Sequence, residues 1–172
     1  MCSSDLDLSE EVGELFAKAQ KLRGQSRWKE SLKVLRYVGI LDPLHIRAIN
    51  YQGDTLVKLK RYRRALCLFD RAILQDPKYY SAYCHRGFVY SHEKNFDRGI
   101  RDYDVAIALE PDRAEAYFYR ARTFLNLTLH NIEGRNFQKA SEMYQNVQTD
   151  LMLARKYARQ TSVSSLSVSS IM

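Results

Sequence analysis

Cys84, His85 and His92 are the residues whose types and spacing come closest to a metal site in this 172-residue sequence. Cysteine thiolates and imidazole nitrogens are preferred zinc ligands, but a structural zinc site needs about four of them converging on one point. On a helix, a seven-residue separation places the two histidines on a similar face, with Cys84 at its margin. One helix with three candidates does not complete such a site, so the sequence predicts neither a metal nor any other cofactor.

Patterns that would indicate catalysis are also missing from the sequence. There is no glycine-rich loop that could hold a phosphate and no serine elbow of the hydrolase type. We therefore expect a protein that is not an enzyme.

A different chemistry is suggested by the stretch KLKRYRRA at residues 58–65, which has five cationic side chains around one tyrosine. Basic residues interleaved with an aromatic are typical of nucleic-acid contacts and of nuclear import signals. The chain as a whole carries a formal charge of +7, with a pI near 9.3. Its long-range field therefore favours acidic partners.

The elements that would position these residues are indicated by an internal repeat. Pro43, Pro77 and Pro111 are 34 residues apart, and each follows an acidic residue. Aromatic, small, large apolar and again small residues recur at the same spacing: Trp28, Tyr62 and Phe96; Ser31, Ala65 and Gly99; Leu35, Phe69 and Tyr103; Val38, Ala72 and Ala106; and Ala19, Gly53, Gly87 and Ala121. Self-similarity at a fixed period of this length is typical of repeat architectures.

Each repeat unit has the pattern of a helical hairpin. A first helix carries apolar residues at helical spacing, such as Ile49 and Leu56, and a second helix runs through Ala65 and Phe69. The acidic residue and proline end the second helix, because proline cannot continue the hydrogen-bond ladder. One hairpin cannot bury its apolar face alone, so the pattern predicts an all-α fold of stacked antiparallel hairpins.

The fourth unit departs from this period. The repeat columns reappear at Phe137, Ala140, Tyr144 and Val147, which lie 41 residues after their counterparts. The seven additional residues correspond to about two helical turns. We therefore expect a longer first helix that ends near Gly134.

No proline closes this fourth unit, and apolar spacing continues through Leu151, Ala154 and Ala158. The pattern is compatible with one long helix or with a separate capping helix that starts near Thr149. We assign residues 149–160 to a capping helix, because repeat arrays need a polar terminal cap. The serine-rich residues 161–172 lack a compact pattern and are expected to be disordered.

The repeat columns resemble the 34-residue tetratricopeptide (TPR) pattern over roughly residues 10 to 148. The resemblance implies a right-handed α-solenoid of about four units that follows an N-terminal lead at residues 1–9. The units fall at 10–43, 46–79, 80–113 and 114–148, with the insertion of the fourth near 125–136.

In this family the first helix of each unit lines a concave groove that takes an extended peptide or a partner helix. The resemblance therefore implies a protein-interaction adaptor or scaffold. The groove would be modestly basic with a few aromatics, suiting an acidic peptide with apolar anchors. The corresponding positions are Phe16, Gln20, Arg23, Arg47, Asn50, Asp54, Lys58, Cys84, Phe88, His92, Phe118, Arg122 and Asn126.

A chaperone-type role is an alternative within the same family. Members that bind heat-shock chaperones hold a C-terminal carboxylate with lysine, asparagine and arginine at set positions. In register, those positions are Phe16, Gln20, Tyr51, Ser81 and His85, and one repeat later they are Asn50, Asp54, His85, Glu115 and Tyr119. Neither set matches. Bacterial type III secretion chaperones are similar in size, but tend to have degenerate repeats and acidic character.

The excess positive charge is concentrated in the turns within the hairpins. Four windows, at residues 26–31, 60–65, 94–99 and 135–140, hold ten basic and two acidic residues. The basic positions are Arg27, Lys29, Lys60, Arg61, Arg63, Arg64, Lys94, Arg98, Arg135 and Lys139. Stacking would align them as a basic edge. It would either contact nucleic acid or an anionic membrane, or be a solvated edge without a partner. Self-association through the apolar residues 151–153 is a further possibility.

The three cysteines are odd in number and widely spaced, which is typical of reduced thiols. No run approaches the roughly 18 apolar residues of a membrane span, and residues 1–8 lack the features of a secretory signal. We therefore expect a reducing, cytoplasmic location, and a nuclear one also fits the basic charge.

Overall fold

The computed structural model describes the backbone of residues 3–169 and the side chains of residues 8–160. Within that range every regular element is an α-helix, which confirms the all-α class. The helices are α1 Ser3–Gly24, α2 Trp28–Leu41, α3 Ile46–Lys58, α4 Tyr62–Gln75, α5 Tyr80–His92, α6 Phe96–Leu109, α7 Ala114–Glu133 and α8 Phe137–Ser169. The chain divides within α5 into two compact units, which are larger than the repeats: the first unit is residues 1–86 and the second unit is residues 87–172.

The Asp-Pro pairs close the hairpins as the sequence predicts. Asp42 and Asp76 follow the last residues of α2 and α4 in an extended conformation, with φ of −130° and −138°. The Asp42 carboxylate accepts a hydrogen bond from the backbone N–H of Leu44 at 3.1 Å, and Asp76 accepts one from Lys78 at 2.9 Å. These local bonds fix the direction in which the chain leaves each helix.

The turns inside the hairpins share one backbone motif. Lys60 follows α3 with φ of 57°, and its N–H donates to Val57 O at 2.9 Å. The N–H of Arg61 donates to Leu56 O at 2.8 Å. This is a Schellman ending, in which glycine is the usual residue at the left-handed position. The other left-handed turn residues are Ser26, Lys94 and Arg135, so glycine occupies none of these four positions.

In the first unit, the small-residue column lets two helices approach closely. A Cβ atom added to Gly53 of α3 would overlap the ring of Phe69 on α4. Phe69 and Leu35, two members of the large apolar column, are fully buried. Here, therefore, a glycine of the small-residue column accommodates a ring of the large apolar column on the neighbouring helix.

The second unit contains an equally close approach between α5 and α6. A Cβ atom on Gly99 would lie 3.0 Å from the carbonyl oxygen of Gly87, which leaves no room for a side chain. Tyr103, one turn further along α6, is fully buried. Glycine at both positions brings the two backbones together.

The predicted lengthening of the first helix in the fourth repeat is confirmed. α7 has 20 residues, whereas α3 and α5 each have 13, and Gly134 is its C-cap residue. The N–H of Gly134 donates to His130 O at 3.0 Å. The seven inserted residues therefore add two turns to α7 before the chain reverses.

The assignment of a separate capping helix at residues 149–160 is wrong, because α8 runs without interruption from Phe137 to Ser169. The expectation of a disordered tail is also wrong for residues 161–169, which continue this helix. The sequence after Gly134 contains neither glycine nor proline, so it lacks a residue that would stop a helix. Residues 170–172 lie outside the described part of the chain.

Candidate functional site

The second unit contains a group of partly exposed aromatic rings with an arginine above them. We name Phe88, Phe118, Tyr119 and Arg122 the aromatic–arginine cluster. The guanidinium carbon of Arg122 lies 5.1 Å from the ring centroid of Phe88 and 5.1 Å from that of Tyr119. Both distances are within the range of a cation–π interaction, so the two rings orient the arginine.

The rings of the cluster support one another. Tyr119 makes edge-on contacts with Phe88 and Phe118, at centroid distances of 6.1 and 5.9 Å, and stacks on the buried Tyr103 at 6.1 Å. Phe118 is 50% exposed, although it contacts Tyr119. A large aromatic side chain that is held on one side and open to solvent on the other can anchor a partner.

Helical spacing explains why these residues meet. Phe118 and Arg122 are four residues apart on α7 and therefore share a face, as do Phe88 and His92 on α5. The ring centroids of Phe88 and His92 are 6.4 Å apart. Four of the positions implied by the TPR resemblance are thus gathered along two helices.

Two arginines of α7 differ in their ion pairs. Arg120 donates to Asp150 of α8 and Asp104 of α6. Burial acts to lower the pKa of Arg120, but the hydrogen bonds to these carboxylates outweigh burial and raise the pKa above the ordinary arginine value. Arg122 is exposed and has no ion pair within the described residues. Its positive charge is therefore open to an anionic group.

A cleft of about 340 Å³ adjoins the aromatic–arginine cluster. It includes the predicted groove residues His92 and Asn126, and its lining is formed by Ser91, His92, Lys94, Phe96, Asn126, Leu129, His130 and Glu133. The two added turns of α7 supply Leu129, which is 51% exposed, together with His130 and Glu133. Sequence reasoning missed these residues, although the length of the insertion was a signal that an additional wall would be present.

In the first unit, several predicted groove residues make internal contacts. Phe16 is buried and stacks on Tyr51 at 5.3 Å, with the Arg47 guanidinium 5.1 Å from its ring centroid. Arg23 forms an ion pair with Asp54, and both side chains are less than one-fifth exposed. These contacts tie α1 to α3.

Two further predicted groove residues are also buried. Asn50 is 1% exposed, and its Oδ1 lies 3.0 Å from Nδ1 of His85. Cys84 is 1% exposed. Of the remaining predicted residues in this unit, Arg47 and Lys58 are exposed and Gln20 is half-buried.

All ten residues of the predicted basic edge are exposed. Some nevertheless have partners in their own turn or helix. Arg27 donates to Glu30 at 2.7 Å through Nε, and the guanidinium carbon of Arg98 lies 5.6 Å from the ring centroid of Tyr90. The cationic residues of the α3–α4 turn, by contrast, have no ion pair within the described residues.

Among the side chains that the structure describes, no three His, Cys, Asp or Glu residues lie close enough to hold a metal ion. Within the same part of the chain, no helix is both long and apolar enough to cross a membrane.

No family model and no curated protein matches the sequence, but solved structures match its fold. A crystal structure of MamA is 19% identical, with 86% of this chain and 81% of MamA covered at a TM-score of 0.67. The first TPR of Spaghetti (RPAP3), bound to the HSP90 peptide SRMEEVD, is 21% identical, with 69% of this chain and 94% of that one covered at 0.65. The TPR domain of Arabidopsis OM64 is 18% identical, covering 67% and 96% at 0.64. On these likenesses, the chain has the fold of a TPR solenoid.

Proposed function

We propose that the protein is a non-enzymatic interaction adaptor whose second unit binds an acidic peptide on the aromatic–arginine cluster. The observation that carries this proposal is the state of Arg122. Its guanidinium group is exposed, rests on Phe88 and Tyr119, and has no ion pair within the described residues. A charged group that is already oriented loses less conformational entropy when it binds.

The side chains of the cluster indicate which residues a bound peptide should contain. The guanidinium fork of Arg122 matches a carboxylate, and a two-pronged hydrogen bond would fix the direction of the peptide. Phe118, half exposed at the edge of the cluster, offers a surface for an apolar side chain. The ligand class is therefore a peptide with an acidic residue next to an apolar anchor.

Similar folds support a peptide partner. Two solved structures are complexes of RPAP3 TPR domains with the peptides SRMEEVD and SGPTIEEVD, and both peptides are rich in acidic residues. In this chain the five in-register positions of the carboxylate clamp are Phe16, Gln20, Tyr51, Ser81 and His85. We therefore propose acidic-peptide recognition that centres on Arg122, and not the chaperone-carboxylate type.

A reducing, cytoplasmic location is part of the same proposal. Cys67 is exposed, Cys84 is buried, and neither forms a disulfide within the described residues. An exposed free thiol is compatible with a reducing compartment.

The experiment that tests this function is peptide display against the full chain, followed by affinity measurements on the selected peptides. Arg122→Glu should lower the affinity for the selected acidic peptides by at least about tenfold, because it places the new carboxylate next to a carboxylate of the peptide. Arg101→Glu makes the same charge change at an exposed position on α6 and should leave binding unchanged. Equal binding to both variants would exclude the aromatic–arginine cluster as the site.

A further inference from the structure

The turn between α3 and α4 carries an unusual concentration of charge. We name Lys58, Lys60, Arg61, Arg63 and Arg64 the basic turn. All five side chains are exposed, and none has an ion pair within the described residues. Five like charges in seven residues repel one another, and no carboxylate offsets them.

The nearest acidic residues in the sequence are engaged elsewhere. Asp54 of α3 pairs with Arg23, and Asp70 of α4 accepts a hydrogen bond from Arg86 at 2.8 Å. The basic turn therefore has no carboxylate of its own to neutralise it.

The backbone of the basic turn also carries unfavourable features. Lys60 has a φ of 57°, where glycine is usual, and Arg61, the N-cap of α4, makes no capping hydrogen bond. Arg63 and Arg64 lie in the first turn of α4, where the helix dipole disfavours cations. The equivalent first turn of α2 contains Glu30. Each of these features is locally unfavourable for stability, and the turn nevertheless has five positive charges.

A cleft that is lined in part by Trp28 opens beside the basic turn. Its volume is about 320 Å³, and it is lined by Ser26, Arg27, Trp28, Lys29, Glu30 and Leu59. Leu59 lies between Lys58 and Lys60 in the chain, so the cleft borders the charged surface. Trp28 is half-buried, and no other ring or cation of the described residues stacks on it. Trp28 also lines a second cleft with Gln20, Arg23, Gly24 and Tyr51.

We propose that this surface of the first unit binds single-stranded nucleic acid, with its phosphates on the basic turn and a base stacked on Trp28. Arginine forks match phosphate oxygens, and base stacking on an aromatic ring tolerates different sequences. This site is separate from the aromatic–arginine cluster and goes beyond the proposed function.

The composition of the surface favours nucleic acid over a protein or a membrane. Among residues 58–64, the apolar or aromatic members are Leu59 and Tyr62, and neither is exposed. Protein interfaces derive most of their affinity from large apolar or aromatic anchors, whereas phosphate binding derives it from the release of counterions. A flat ring in the lining of a cleft provides a stacking surface that a lipid headgroup does not need.

The sequence supplies a direct reporter, because Trp28 is its single tryptophan. The full chain is titrated at about 50 mM salt with an oligouridylate of about ten nucleotides, and tryptophan fluorescence is recorded. Stacking of a base on Trp28 should quench that fluorescence. Inorganic polyphosphate, which has phosphates but no bases, should bind without the quench.

Salt dependence tests the contribution of the basic turn. If five phosphates are neutralised, the logarithm of the association constant should fall against the logarithm of salt with a slope of about −3.5. Charge reversal of Arg61, Arg63 and Arg64 to Glu should abolish the quench and reduce affinity at least about tenfold. The same reversal at Lys18, Lys21 and Arg36, three exposed residues of α1 and α2, gives an equal net charge and should retain both the quench and the larger part of the affinity.

Trp28→Phe separates stacking from charge. The anisotropy of a labelled oligonucleotide reports binding. The substitution should lower the affinity for oligouridylate several-fold and leave the affinity for polyphosphate unchanged. Any of three results would overturn the proposal: no oligonucleotide binding at low salt, binding without a quench, or equal losses in the two charge-reversal variants. Preferential binding of phosphatidylserine vesicles would overturn it as well, and so would preferential binding of an oligoglutamate peptide that the reversal of Arg61, Arg63 and Arg64 weakens.

Discussion

The guanidinium of Arg120 donates two hydrogen bonds to the carboxylate of Asp150, with Nε–Oδ2 and Nη2–Oδ1 distances of 2.8 and 2.7 Å. Asp150 is only 2% exposed, and a third bond from Arg120 reaches the exposed Asp104. The arginine therefore joins α6, α7 and α8. Burial acts to lower the pKa of Arg120, but its hydrogen bonds to the two carboxylates raise the pKa above the ordinary arginine value. On the alkaline side, the contribution of the charged guanidinium to stability is therefore lost only as the pH rises through that raised pKa.

Breaking this pair should be costly. Arg120→Met leaves the Asp150 carboxylate buried without its partner, and we expect the free energy of unfolding to fall by about 3–5 kcal/mol. Asp104→Asn removes a carboxylate that is 51% exposed and should cost less than about 1 kcal/mol. Chemical denaturation of the two variants checks this, and similar losses would contradict the assignment of the buried pair as the stronger one.

The close approach of α3 and α4 predicts opposite effects for two glycine substitutions. Gly53→Ala forces a methyl group into the ring of Phe69 and should lower the free energy of unfolding by about 1–3 kcal/mol. Gly13→Ala lies in α1 with no atom within 4 Å of the added methyl, and should raise it by about 0.5–1 kcal/mol. Thermal unfolding distinguishes them, and a neutral Gly53→Ala would show that the ring can move aside.

The left-handed turn residues predict stabilising substitutions. Lys60→Gly and Arg135→Gly remove a side chain from a conformation that costs an L-residue about 1 kcal/mol. Each should raise the midpoint of denaturation. Lys60→Gly should also weaken oligonucleotide binding, because it deletes one charge of the basic turn. A variant that is more stable but binds less well would separate folding from function at this residue.

The continuity of α8 can be tested with proline. Thr149 lies inside this helix, and Thr149→Pro should lower the free energy of unfolding by about 3 kcal/mol, because a ladder hydrogen bond is lost. If a separate helix began at this point, proline in its first turn would be tolerated. Thr149→Ala is the control, and circular dichroism together with denaturation provides the measurement.

The sequence predicted best where one residue type decides the backbone. The Asp-Pro pairs predicted the ends of α2 and α4, and the displaced columns together with Gly134 predicted the end of α7. The end of α8 was predicted poorly, since serine-rich composition was interpreted as disorder while no residue there terminates a helix.

The candidate sites were less predictable because they depend on pairs distant in the chain. Family position alone placed Phe16 in the groove, but its stacking on Tyr51 buries it. Arg23 and Asp54 are 31 residues apart in the sequence and lie on different helices, so helical periodicity does not predict their ion pair. Likewise, the sequence showed Trp28 only as one aromatic residue of a repeat column, and the structure shows that it lines two clefts.

The two-turn extension of α7 has a consequence for how such a chain can vary in length. Seven added residues rotate the helix by about 700°, which is within about 20° of two full revolutions. The end of α7 therefore keeps its angular phase, so the chain leaves α7 on the same side as it would without the insertion, and Ala140 and Val147 of α8 are buried. An insertion of five residues would rotate the end of α7 by about 140° and direct the chain away from the packed face. Length changes within such helices should therefore occur in steps near whole turns, which makes insertion length in related chains a discrete variable.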